Sequence, residues 1–143
     1  MMRILIHGAG RMAQRVLARL PDFEGFELQG LVSRTRPDEN IDAAWFSSLE
    51  EVNVSAELLI DFTLPGGTRH AADWCAARNV ALLSGTTGLA GDDIDALKSA
   101  ASKVPVLWAP NLSHGIALIT ALVRQVANTL PLDAKVSIAD IHH

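Results

Sequence analysis

The chain has a single cysteine, Cys75, among its 143 residues, so no disulfide can form within it. Cys75 lies among apolar neighbours in an expected helix and reads as a plain buried thiol. Excess basic charge is also missing. With 12 Lys and Arg against 16 Asp and Glu, the net charge is −4 and the pI is near 5.6, which argues against a nucleic-acid surface. No uninterrupted run of about 18 apolar residues occurs, so no membrane span is expected. The first residues pass straight into a strand and leave no room for a signal peptide, which points to a cytoplasmic location. Internal repeats and low-complexity tracts are absent. What remains is an ordinary soluble composition, 49% hydrophobic and 20% charged. The length suits one domain with a sizeable core, or one domain plus a fragment of another.

The most informative segment is Gly8-Ala9-Gly10-Arg11-Met12-Ala13, which directly follows the apolar run Arg3 to His7. Strand, then Gly-x-Gly-x-x-Ala, then helix is how a dinucleotide-binding fold begins. Gly8 can take the tight turn, Gly10 lets the backbone approach a pyrophosphate, and Ala13 lets the helix pack closely on the strand. The helix N-terminus adds unpaired N–H groups and partial positive charge.

Further along, apolar strand-like runs alternate with helical segments, the pattern of a mostly parallel sheet with crossover helices. Strands are expected at Arg3–His7, Phe26–Val32, Leu58–Phe62, Val80–Ser84 and Val104–Trp108. The first helix is expected to turn Met12, Val16, Leu17 and Leu20 toward the sheet, with Arg11, Arg15 and Arg19 opposite. Residues 33–50 are polar and contain Pro37, so a loop with little regular structure is expected there. Helices are expected over Thr68–Arg78 and Asp92–Ser102. His114 to Leu130 reads as a helix apolar nearly all round, which must be covered on more than one side. Pro131 ends it, and Lys135 to Ile141 alternates as a strand that needs a partner from another chain or from a missing stretch of this one. The expected fold class is α/β, a Rossmann-like doubly wound sheet over residues 1–113. The first helix and strand of a truncated α+β domain follow over 114–143.

Ligands of open parallel sheets bind outside the carboxyl ends of the strands. Three loops there combine Gly, Pro, Thr or Asn: Asp61 to Gly67, Gly85 to Gly88 and Ala109 to Ser113. Together with the Gly-rich loop they favour a ligand-lined cleft over plain turns. The tip of the second strand runs Val32-Ser33-Arg34-Thr35-Arg36 and lacks the acid that would bind a ribose and repel a 2′-phosphate. Ser33 can donate a hydrogen bond, and Arg34 and Arg36 can pair with a phosphate, unless both are merely solvated loop charges. The combination leans toward NADPH or toward tolerance of both NADPH and NADH.

These residues resemble one family, the bacterial dihydrodipicolinate (4-hydroxy-tetrahydrodipicolinate) reductases of lysine and diaminopimelate biosynthesis. The signatures are Gly-Arg-Met in the first loop, Asp61-Phe62-Thr63-x-Pro65, Gly85-Thr86-Thr87-Gly88, Ala109-Pro110-Asn111-x-Ser113-x-Gly115 and Asp140-x-His142-His143. The resemblance implies that Gly8, Ala9, Gly10, Arg11, Met12, Gly85, Thr86, Thr87, Ala109, Pro110, Asn111 and Leu112 hold the cofactor, NADPH or NADH. Ser33 and Arg34 fall where the family places an acid and a basic residue. His142 matches the proton-donating histidine and His143 a substrate-contacting one; no metal is implied.

By the same resemblance the reaction is NAD(P)H-dependent reduction of 4-hydroxy-tetrahydrodipicolinate to tetrahydrodipicolinate. The substrate is a cyclic dicarboxylate and the assembly a homotetramer, with no nucleic-acid or membrane partner. Three departures stand out. The first loop is one residue shorter than the commonest family version, Asp140 replaces Glu, and the family's Lys and Gly-Thr segment beyond His143 are absent. The resemblance therefore covers roughly the first half of a family member, and the chain alone is expected to bind cofactor with little turnover. The alternatives are an NAD(P)-binding module or degenerate paralogue without turnover, and another small Rossmann dehydrogenase.

Overall fold

The computed structural model describes residues 1–37, 41–131 and 133–139. It divides into two compact units, Met1–Asn111 and Leu112–His143. The first unit is a Rossmann-like α/β fold. Its strands are β1 (Met2–His7), β2 (Phe26–Val32), β3 (Ala44–Phe46), β4 (Leu58–Asp61), β5 (Ala81–Ser84) and β6 (Val106–Trp108). They form one six-stranded sheet in the order β3-β2-β1-β4-β5-β6, with every pairing parallel. The order reverses between β1 and β4, where ligands of such sheets bind.

Parallel strands covered on both faces are apolar on both, and the two cores divide by strand alternation. Ile4, Ile6 and Leu31 turn to the face covered by α1 (Arg11–Arg19), joined by Ala13, Val16 and Leu17. Leu5, Val32, Leu59 and Leu82 turn to the face covered by α2 (Pro65–Arg78) and α3 (Asp92–Ala101). The small residues Ala71, Ala72 and Cys75 let α2 lie close to the sheet and are fully buried. Burial pushes the Cys75 thiol up to about 12, with the Asp61 charge adding to the effect, so it is an inert core group. Trp74 completes this face, its indole N–H donating to the Leu49 carbonyl at 2.8 Å.

Three expectations for the first unit are corrected. Met12 does not face the sheet; it is exposed at the start of α1, and Ala13, Val16, Leu17 and Leu20 form the packed stripe. The i, i+3, i+4, i+7 spacing from Ala13 puts Met12 on the shoulder of that stripe. The segment 33–50 is not structureless, because β3 pairs with β2 and a short 3-10 turn follows at Leu49–Glu51. Its three-residue strand is too short to show a period. Helix α2 starts at Pro65, three residues before the expected Thr68, with proline in the first turn where its missing N–H costs nothing.

In the second unit, α4 (His114–Thr129) is capped by Ser113, whose hydroxyl accepts the Ile116 N–H at 3.3 Å. None of its residues is buried. Residues 135–139 of the strand expected over Lys135–Ile141 form no strand; Asp140 and Ile141 lie outside the described residues. An alternating segment becomes a strand only where a neighbour supplies the ladder, and no described strand pairs with this one.

Leu59 is fully buried at the centre of β4, so Leu59→Ala should cost about 2–5 kcal/mol of unfolding free energy. Met12→Ala should stay within about 0.5 kcal/mol. Urea unfolding of both variants checks the assignment of the α1 face.

Candidate functional site

A cleft of about 730 Å³ opens at the carboxyl ends of β1, β2 and β4. Its floor is the turn after β1, where His7, Gly8, Ala9 and Gly10 lead into α1. Gly8 has φ +103°, and a Cβ there would stand 2.6 Å from the Phe62 carbonyl oxygen. Only glycine satisfies both conditions. Gly10 differs, since a Cβ there would meet nothing within 4 Å. The space beside it is open, and it lies at the N-terminus of α1, whose first turn carries no acid. The helix dipole and unpaired N–H groups favour an anion at that place.

One wall comes from the tip of β2. Ser33 and Arg34 line it, together with Thr35. The Ser33 hydroxyl donates to the Thr35 carbonyl at 2.8 Å and accepts the Trp45 indole N–H at 3.1 Å, so its proton shapes the turn. Arg34 is exposed and makes no ion pair among the described residues. Ser47 to Glu50, following β3, close this end. Hydrogen bonds from its own backbone N–H and from Ser48 hold the Glu50 carboxyl below its ordinary range.

The opposite wall is the loop after β4 and the first turns of α2: Phe62, Thr63, Leu64, Gly66, Gly67 and His70. A Cβ at Gly67 would run into the Thr63 side chain, so the small residue lets α2 begin directly against this loop.

Behind this wall lies Asp61, which has no solvent exposure. Thr63 donates to its Oδ1 through the backbone N–H (3.2 Å) and the hydroxyl (2.6 Å). Its Oδ2 accepts from Thr68 (2.6 Å), Ser84 (2.9 Å) and Thr86 (3.1 Å). His7 Nδ1 stands 3.3 Å from Oδ1, a close approach outside hydrogen-bond geometry. Burial works to raise the Asp61 pKa. The closeness of His7 and the bonds from Thr63 and Thr68 outweigh it, and the carboxyl is held at about 2.

The remaining expected positions are distributed as follows. Arg11 and Met12 are exposed on the first turn of α1. Gly85, Thr86 and Thr87 follow β5 and do not line the cleft. Thr87 is exposed, whereas the Thr86 side chain is buried against Asp61. Ala109, Pro110 and Asn111 follow β6, and the Ala109 N–H donates to the Ser84 carbonyl at 2.9 Å. Leu112 belongs to the second unit. His142 and His143 lie outside the described residues. Sequence reasoning missed His7, His70 and Ser47 to Glu50. No motif marks them; only the sheet order and the short β3 bring them to the cleft. Among the described residues no group of three or more His, Cys, Asp or Glu is placed to hold a metal ion. No described helix is long and apolar enough to cross a membrane.

Comparison with known proteins places this geometry. The family model described as dihydrodipicolinate reductase, N-terminus, matches residues 2–112. The 4-hydroxy-tetrahydrodipicolinate reductase of Xylella fastidiosa (strain 9a5c) is 36% identical over 133 residues, covering 90% of this chain and 56% of that protein. The protein of the same name from Xanthomonas euvesicatoria pv. vesicatoria (strain 85-10) is 35% identical over 145 residues, covering 99% and 60%. The chain thus spans little more than half the length of these curated relatives. The dipicolinate-bound dihydrodipicolinate reductase from Paenisporosarcina sp. TG-14 shares the fold, with a TM-score of 0.78 at 22% identity over 90% of this chain and 54% of its own.

The depressed Asp61 pKa makes stability depend on acid. The folded value of about 2 lies below the ordinary 3.8, so the stabilisation is complete above the ordinary value and is lost as pH falls toward 2. The difference corresponds to about 2 kcal/mol. The gap in unfolding free energy between the wild-type chain and Asp61→Asn should therefore narrow by that order on acidification from neutrality. Urea unfolding as a function of pH checks this, and a gap that stays constant would refute it.

Proposed function

The chain belongs to the dihydrodipicolinate reductase family, and from that premise we propose that it forms the NAD(P)H-binding part of a 4-hydroxy-tetrahydrodipicolinate reductase. The observation that carries this reading is the cleft at the β1/β4 reversal. The open space beside Gly10 meets the acid-free N-terminus of α1 there, a cradle suited to a pyrophosphate. Arg34, Thr35 and Ser48 bound the end where the adenosine ribose belongs.

In this reading Gly8 to Met12 hold the pyrophosphate and Ser33 and Arg34 the adenosine ribose. Gly85 to Thr87 and Ala109 to Leu112 border the nicotinamide. The bound cofactor supplies the hydride. His142 is the proposed proton donor and His143 a proposed contact to the cyclic dicarboxylate substrate; an imidazole suits proton delivery near neutrality. The place of the reaction is lysine (diaminopimelate) biosynthesis, in the cytoplasm, and the assembled enzyme is a homo-oligomer. Residues 1–113 are the cofactor domain and 114–143 begin the substrate and oligomerisation domain.

Calorimetry with NADPH and NADH tests the cofactor assignment. NADPH should bind at least as tightly as NADH, because no acid at the tip of β2 opposes a 2′-phosphate. Arg34→Ala should weaken NADPH by about tenfold and leave NADH within about twofold. Gly10→Val should remove binding without changing the unfolding midpoint, since the added side chain fills only the open space. Absence of heat with both cofactors would overturn the assignment.

A further inference from the structure

The two oxygens of the Asp61 carboxylate serve different segments, one at the cleft and one behind it. Oδ1 is taken by Thr63, which lines the cleft, and is approached by His7 from the turn after β1. Oδ2 reaches away from the cleft, to Ser84 at the end of β5 and Thr86 in the loop beyond it, with Thr68 of α2 between. Thr86 is only 3% exposed, so its hydroxyl faces inward. That hydroxyl also lies 3.3 Å from the Thr63 carbonyl, and the Thr86 carbonyl accepts the Trp108 indole N–H at 2.9 Å. The loop after β5 is therefore pinned from beneath, while its next residue, Thr87, is exposed.

In a sheet of this order, one mononucleotide half of the cofactor lies over β1 to β3 and the other over β4 to β6. We infer that Asp61 is a positioning residue that fixes the nicotinamide side of the site relative to the adenosine side, with Thr86 as the arm that reaches the loop after β5. This rests on the cofactor reading above. Asp61 touches no cofactor itself; it sets the spacing between two loops that each hold one half. Thr86 likewise acts through its hydroxyl on Asp61, leaving contact with the ligand to the backbone and to Thr87.

The test compares NADPH with 2′,5′-ADP, which fills only the adenosine half, in titrations of the wild-type chain and its variants. Thr86→Val should weaken NADPH about three- to tenfold and leave 2′,5′-ADP within about twofold, and Thr86→Ser, which keeps the hydroxyl, should restore NADPH binding. Trp108→Phe, which removes the second anchor of the same loop, should show the same split in milder form and serves if Thr86→Val does not fold. Asp61→Asn should show the same split, with NADPH weakened more than 2′,5′-ADP. Equal loss for both ligands in Thr86→Val and Trp108→Phe, no loss in either, or failure of Thr86→Ser to restore binding would overturn the inference. A wild-type chain that binds neither ligand would overturn the cofactor reading itself, and the inference with it.

Discussion

A carboxylate without access to water persists in a protein only when its lone pairs are met by donors, and the carboxyl edge of this sheet is organised around meeting those of Asp61. The donors come from the loop after β4, from α2, from the end of β5 and from the loop after it. In a low-dielectric surrounding such a network is strong when complete and costly when one member is lost. The segments it joins therefore behave as a unit. The cleft wall inherits its rigidity from a group that a ligand never sees.

Register explains how the network is assembled. His7 pairs with Asp61 across β1 and β4, and Asp61 with Ser84 across β4 and β5. Neighbours on one rung of a parallel sheet share a face, here the face that α2 covers. The three central strands β1, β4 and β5 thus end in a polar rung, and their loops begin directly beyond it. This places the site on rigid elements, with the turns only completing it.

The alternation of apolar runs and the Gly-x-Gly turn were sufficient to read the fold. Phe26–Val32 was recognisable to the residue, because both its ends are marked by polar or turn-forming neighbours. Met12 was misplaced because a stripe of helical spacing can be drawn through either of two adjacent residues. Ala13, too small to register as apolar surface, is the one that touches the sheet. The Gly-rich loop and the tip of β2, which line the cleft, stand out in the sequence because their residue types carry specific chemistry. His7 and His70 do not: a histidine has no local signature, and His7 reaches the cleft through the pairing of β1 with β4, His70 through the first turns of α2. Residues 135–139 show the reverse limit, since alternation states a capacity for a strand while a neighbour decides whether one forms.

The polar rung makes β4 intolerant of a change in length. Inserting or deleting one residue between Leu58 and Asp61 would carry the carboxylate to the other face of the sheet, among the apolar side chains of Ile4, Ile6 and Leu31. A four-residue strand thus acts as a ruler with one valid reading. Variation in homologous chains should accordingly gather in the connections on either side of β4 and leave its count of residues alone.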